Sequence, residues 1–213
     1  MIDNPEKNKN YAIAIGRQFG SGGREVGQRV AQLLDINYFD KQLLLEASKA
    51  SGINQEMFEA ADERTPKFFP SLWPLNLAMA GSTFIGDTPM SDDSIYNAQC
   101  QVMKDLVDRK PCVIVGRTAD YVLREYCPVI SVFLHAPIDD RVNRIMARGD
   151  CDTREAAEKR SDKANKLRAE YYNFYTDKLW GHADSYDLCI DSSLLGIEGT
   201  AQFIVEFVKR RLG

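Results

Sequence analysis

"AIAIGRQFGSGGREVGQRVA", residues 12–31, is the stretch whose reading decides the fold. An apolar run ends at Gly16 and passes into a glycine-rich loop. Residues 24–34 then place Val26, Val30, Leu33 and Leu34 on one helical face. Strand, glycine loop and helix in that order make a cradle for phosphate. Gly20, Gly22 and Gly23 let successive backbone N–H groups turn inward with no Cβ in the way, and the helix adds its positive end. The alternative is a glycine turn that only lets a helix pack against a strand.

A strict phosphate-binding loop reads GxxxxGK[ST]. Set on Gly22, that pattern puts Arg17 at the first glycine, Gly23 at the lysine and Arg24 at the hydroxyl residue. The lysine normally bridges the β- and γ-phosphates, and the hydroxyl binds Mg²⁺. Neither is present. Guanidinium forks suit phosphate oxygens, so Arg17 or Arg24 is expected to supply the missing cation. Mg²⁺ is then held through water or through Ser21, with no direct protein ligand assigned.

The 213 residues suit one α/β domain carrying a mobile flap. A hydrophobic fraction of 44% and a charged fraction of 27% are those of an ordinary globular protein. The five cysteines (Cys100, Cys112, Cys127, Cys151, Cys189) form no CxxC pair, and His135 and His182 are the only histidines. No metal site is expected from them, and reduced thiols in a cytoplasmic protein are the plain reading. Cys112 and Cys189 sit in strand patterns and read as core; His135 reads as a strand-end residue. The N-terminal "MIDNPEKNKN" is polar and lacks the apolar core of a signal peptide. No stretch approaches the roughly 18 apolar residues of a membrane span. A net charge of −4 argues against broad nucleic-acid binding.

Along the chain, strands are expected at 11–15, 36–40, 111–116, 129–136 and 186–193. Helices are expected at 24–34, 41–51, around "NAQCQVMKDLVDR", at "YVLREY", over a charged stretch near 138–176 and at the C-terminus. Residues 62–94, with four prolines, read as a flap over a cleft, a packing loop or an oligomer contact. Strands alternating with helices imply a mainly parallel sheet between helical layers. Ligands in such sheets sit beyond the carboxyl ends of the strands. Asp40 and Arg117 stand just past two of those ends. Arg117 follows a glycine at a central strand's end, where a phosphate or base contact and a structural ion pair are the two readings.

The stretches "YAIAIGRQFGSGGREVGQRVAQLLDINYFDKQLL", "VIVGRTADYVL" (113–123), "VFLHAPIDDRVNRIMAR" (132–148) and "RAEYYNFYTDKLWGHADSYDLCIDSS" (168–193) resemble the cytidylate-kinase-like branch of the nucleoside monophosphate kinases. The resemblance covers nearly the whole chain. It implies a three-layer α/β/α P-loop fold with a helical lid near 148–176, ATP with Mg²⁺ as donor, and CMP or dCMP as the first acceptor to test. It implies that Gly20, Ser21, Gly22, Gly23 and Arg24 hold the donor phosphates. Asp40 and Arg117 would orient the acceptor. Thr118 replaces the aspartate of the family's Gly-Arg-Asp motif, and Asp120 stands two residues on to compensate. The acceptor-phosphate arginine falls on Glu46, a departure. Arg160, Lys163, Lys166 and Arg168 would supply lid cations, and Asn165 stands where an aspartate is common.

Arg160 and Arg168 lie eight residues apart and share one helical face, as a lid requires; most other charges at 148–168 read as a solvated face. Tyr171, Tyr172, Phe174 and Tyr175 read as helix packing before base stacking. The expected function is therefore a small-molecule kinase, with Arg17, Arg24, Arg160 and Arg168 in catalysis and Asp40, Arg117, Asp120 and Lys163 on the substrate. The competing function is a nucleotide- or anion-binding module without turnover, or a kinase for another metabolite. Expected partners are small-molecule nucleotides and a second copy of the chain in a homo-oligomer, with no nucleic acid or membrane.

Overall fold

Residues 12–15 alternate alanine with isoleucine, and in a strand that alternation assigns each residue type to one face of the sheet. The computed structural model describes residues 10–40, 92–116 and 118–213. β1 (Ala12–Arg17) is the middle strand, paired in parallel with β3 (Cys112–Val115) on one side and β4 (Val129–His135) on the other. β2 (Asn37–Phe39) lies beyond β3, and β5 (Leu188–Asp191) beyond β4. The order is β2-β3-β1-β4-β5, every pair parallel.

Helices cover both faces. Ile13 and Ile15 pack with Val26 and Val30 of α1 (Gly23–Leu34) and with Ile204 and Val208 of α6 (Ser192–Leu212). Ala12 and Ala14 face Met103 and Val107 of α2 (Asp92–Arg109), and Leu123 just after α3 (Ala119–Val122). Burial on both sides explains why β1, β3 and β4 read as nearly continuous apolar runs. A smaller cluster joins Val142 and Ile145 of α4 (Ile138–Ala147) to Ala157 of α5 (Arg154–Tyr175), with Phe19 of the glycine loop packed against it.

Several sequence expectations need correction. The charged stretch 138–176 is two helices. Gly149, in the left-handed region at φ 74°, ends the first, and the Thr153 hydroxyl caps the second by accepting from the Ala156 N–H. At "YVLREY" the helix stops at Val122, and the chain turns before β4. The last strand is shorter than 186–193, because Asp191 accepts from the Ser193 N–H and starts α6 at Ser192. Cys189 is exposed rather than core: β5 is an edge strand, and its neighbours Leu188 and Ile190 take the side facing the core. The helix expected at 41–51, Glu46, Arg117 and nearly all of 62–94 lie outside the described residues.

The chain visits β2 and β3 on one side of β1 and then crosses to β4 on the other. That reversal opens a crevice at the carboxyl end of β1, where the glycine loop begins.

Candidate phosphate-binding site and adjoining cleft

The carbonyls of the loop are held from outside. Arg168 Nη1 donates to the Arg17 carbonyl at 2.9 Å, Ser161 Oγ to Phe19 at 3.4 Å, Arg144 Nη1 to Gly20 at 2.7 Å and Ser192 Oγ to Ser21 at 2.6 Å. The Gln18 carbonyl accepts from both the N–H and the hydroxyl of Ser21. Gly20 (φ 84°) and Gly22 (φ 77°) take the left-handed turns that this course needs. The N–H groups of Gly22, Gly23 and Arg24, orphan donors at the start of a helix, meet no acceptor among the described residues. Carbonyls tied outward and amides left over make a loop built to take an anion.

Arg17 leaves the end of β1 and crosses this loop. A Cβ added at Gly23 would lie 2.6 Å from Arg17 Cβ and 2.7 Å from Cγ, and one at Gly116 (φ 90°) would overlap the Arg17 guanidinium. The arginine therefore runs over Gly23 to the end of β3, and both glycines are the room it needs. Arg24 goes elsewhere. Its Nε lies 3.1 Å from Asp40 Oδ2, which the Tyr38 hydroxyl also meets at 3.5 Å. Arg24 is mostly exposed, with 63% of its side chain open to solvent, and Asp40 is buried. Two residues expected in separate roles, one on the donor and one on the acceptor, are thus partners at the edge of the site.

Positive charge converges here. Burial, with Arg17, Arg24 and Arg148 nearby, pushes the Arg168 pKa down to about 8. A guanidinium keeps its proton in proteins, so this shift describes a charge held among like charges, which an anion would relieve. Arg160 donates to the Asp150 carbonyl at 2.7 Å and stays exposed. Lys163 is exposed on α5 and does not line the cleft. Ser21 is fully buried.

Beside the loop, a cleft of about 280 Å³ runs from Arg17 and Arg168 down to Asp120, walled by Tyr172, Trp180 and Tyr186. Asp120 Oδ2 accepts from the Tyr172 hydroxyl at 2.7 Å and lies 3.8 Å from Lys178 Nζ. Burial raises its pKa, while Tyr172 and Lys178 oppose the rise. Thr118, also on the cleft wall, is held at φ 56°, which a β-branched residue rarely adopts. Such strain collects at ligand sites.

The profile of the cytidylate kinase-like family matches residues 12–194. The chain belongs to that family. Among solved structures it is similar to an uncharacterized protein from Eubacterium ventriosum ATCC 27560, with 25% identity, a TM-score of 0.69 and 94% of this chain covering 99% of that one. It is also similar to shikimate kinase from Acinetobacter baumannii in complex with shikimate (16% identity, TM-score 0.52, 96% of each chain). A gluconokinase from Sinorhizobium meliloti 1021 gives 15% identity and a TM-score of 0.52 over 97% of each chain. These likenesses show a P-loop kinase fold, in agreement with the parallel sheet and helical layers. A search of the curated proteins found no match. No described helix of this kinase-like protein is long and apolar enough to cross a membrane.

Of the expected site residues, the structure gathers Arg17, Arg168 and Asp120 at the cleft and Gly20 to Gly23 at the loop. Sequence reasoning passed over Arg141, Arg144 and Arg148. Arg141 bonds the Ala136 carbonyl and Ser161 Oγ, tying α4 to α5, and Arg144 holds the Gly20 carbonyl. Their i, i+3, i+7 spacing on one helical face was the available signal.

Proposed function

We propose that this protein transfers the γ-phosphoryl group of ATP to a small acceptor in the cleft, with a pyrimidine nucleoside monophosphate, CMP or dCMP, as first candidate. One observation carries the reading: Arg17 occupies the space over Gly23, the position where a phosphate loop places its lysine. Its cation comes from the loop's beginning instead of its end. Arg17 contacts the transferring phosphoryl group, the amides of Gly22, Gly23 and Arg24 cradle the donor phosphates, and Arg168 closes on the charge that develops.

Phosphoryl transfer asks for two phosphates in line, water excluded and positive charge where negative charge builds. The guanidiniums answer the third need, and α5, packed on the loop, the second. In the cleft, Tyr172 and Tyr186 stack on each other, with centroids 5.9 Å apart, and form an aromatic wall beside the space for a flat ring. Asp120 retains lone pairs for a ring amino group. Asp40, just beyond the end of β2, is assigned to the acceptor together with Arg117 and Lys163.

Magnesium prefers carboxylate, phosphate and water oxygens. Ser21 does not fit it, being fully buried. Glu25 fits through one oxygen: in the first turn of α1, its Oε2 is buried with no hydrogen-bond partner among the described residues, while Oε1 lies 3.8 Å from Arg148 Nη1. When bound there, the ion neutralises charge on the donor phosphates.

The test is transfer from γ-labelled ATP, with and without Mg²⁺, across a panel of nucleoside monophosphates. Magnesium-dependent label on CMP or dCMP is the expected result. Label on a different acceptor would keep the kinase and change its substrate, and label that stays on ATP throughout would leave a binding module.

A further inference from the structure

Phe19, at the tip of the loop, has three guanidiniums around its ring. Their central carbons lie 5.6 Å (Arg148), 5.7 Å (Arg160) and 5.5 Å (Arg168) from the ring centroid. We propose that Phe19 is a positioning residue that gathers these arginines over the donor phosphates, an inference that rests on the phosphoryl-transfer reading above.

The three arginines come from different places, Arg148 from the α4–α5 turn and the others from two turns of α5. Like charges so close repel one another. Some of that repulsion is met by neighbours: Arg148 bonds Asp150 Oδ2 at 2.7 Å, Arg160 the Asp150 carbonyl and Arg168 the Arg17 carbonyl. The shared attraction is the ring itself, whose electron-rich face draws guanidiniums.

The ring is fixed in turn. It packs on Val142, Ile145 and Ala157. Its backbone N–H donates to Asn165 Oδ1 at 2.7 Å, and its carbonyl accepts from Ser161 Oγ at 3.4 Å. One residue therefore docks α5 on the loop through its main chain and collects arginines through its side chain. A backbone cradle needs no aromatic residue here; a leucine would fill the same apolar cluster. Only a π face serves the arginines.

Phe19→Leu, Phe19→Tyr and Phe19→Trp separate shape from π character. Binding is read by calorimetry with pyrophosphate, transfer by kcat and KM with MgATP, and folding by thermal melting. The leucine variant is expected to melt close to wild type, bind pyrophosphate on the order of tenfold more weakly and lose more in kcat than in KM for ATP. At least one aromatic variant is expected to stay within about threefold of wild type in both readouts. Wild-type affinity and kcat in the leucine variant would overturn the inference. So would equal losses in all three variants, which would make Phe19 a matter of shape. If the wild type binds pyrophosphate yet transfers to no acceptor, the transfer reading fails by itself, and the affinities of the leucine and aromatic variants still decide the role of Phe19.

Discussion

Arg168→Ala is expected to lower kcat for phosphoryl transfer by roughly 10³, the lower end of what a transition-state arginine supplies. The melting temperature is expected to change little. Arg168 sits among Arg17, Arg24 and Arg148, and its removal relieves their repulsion. Against that relief stands the loss of one hydrogen bond to the Arg17 carbonyl and of the contact with the Phe19 ring. A residue kept for stability would not be placed among like charges. Arg168→Lys is expected to recover little, because one nitrogen cannot hold the loop carbonyl and reach a phosphate together. Kinetics and melting on the same preparations check both statements. A large loss of melting temperature with kcat per folded molecule unchanged would make Arg168 a strut for the loop.

Gly23→Lys restores the lysine of the standard pattern and is nevertheless expected to reduce transfer by about 10², the size of effect that a misplacement of about 1 Å produces. The new Cβ collides with Arg17 Cβ and Cγ, both under 3 Å from where it must stand. Adding Arg17→Gly removes the obstruction and leaves the lysine in its usual place. The double variant is expected to recover at least about tenfold over Gly23→Lys, although each single change alone is harmful. Contacting residues often couple in this way, and a double-mutant cycle measures the coupling. Additive losses would mean that the two positions do not compete for one space.

Much of this arrangement was legible in the sequence, since periodicity and chain order fix β1, the loop and α1. The apolar runs at 111–116 and 129–136 likewise mark strands covered on both faces. The charge pattern at 148–168 reads as a solvated face, and Lys159 with Glu155 and Arg154 with Glu158 do form i,i+4 pairs at 2.8 Å. Arg160 and Arg168 share that helix yet turn to Asp150 and the loop, which charge alternation does not reveal. Pairing of Arg24 with Asp40 depends on how β2 places Asp40 beside α1, a tertiary fact without a local signal. The glycine at the lysine position looks like a loss of function in the sequence. It becomes intelligible once Arg17 is seen lying across it.

The most direct test compares Arg17→Ala with Arg24→Ala in transfer from MgATP to the best acceptor of the panel. A loss of about 10³ is expected for Arg17→Ala, as befits a cation on the transferring phosphoryl group, and a loss of less than about tenfold for Arg24→Ala, whose side chain pairs with Asp40. The reverse ranking, or wild-type turnover in Arg17→Ala, would contradict the claim that Arg17 stands in for the missing lysine.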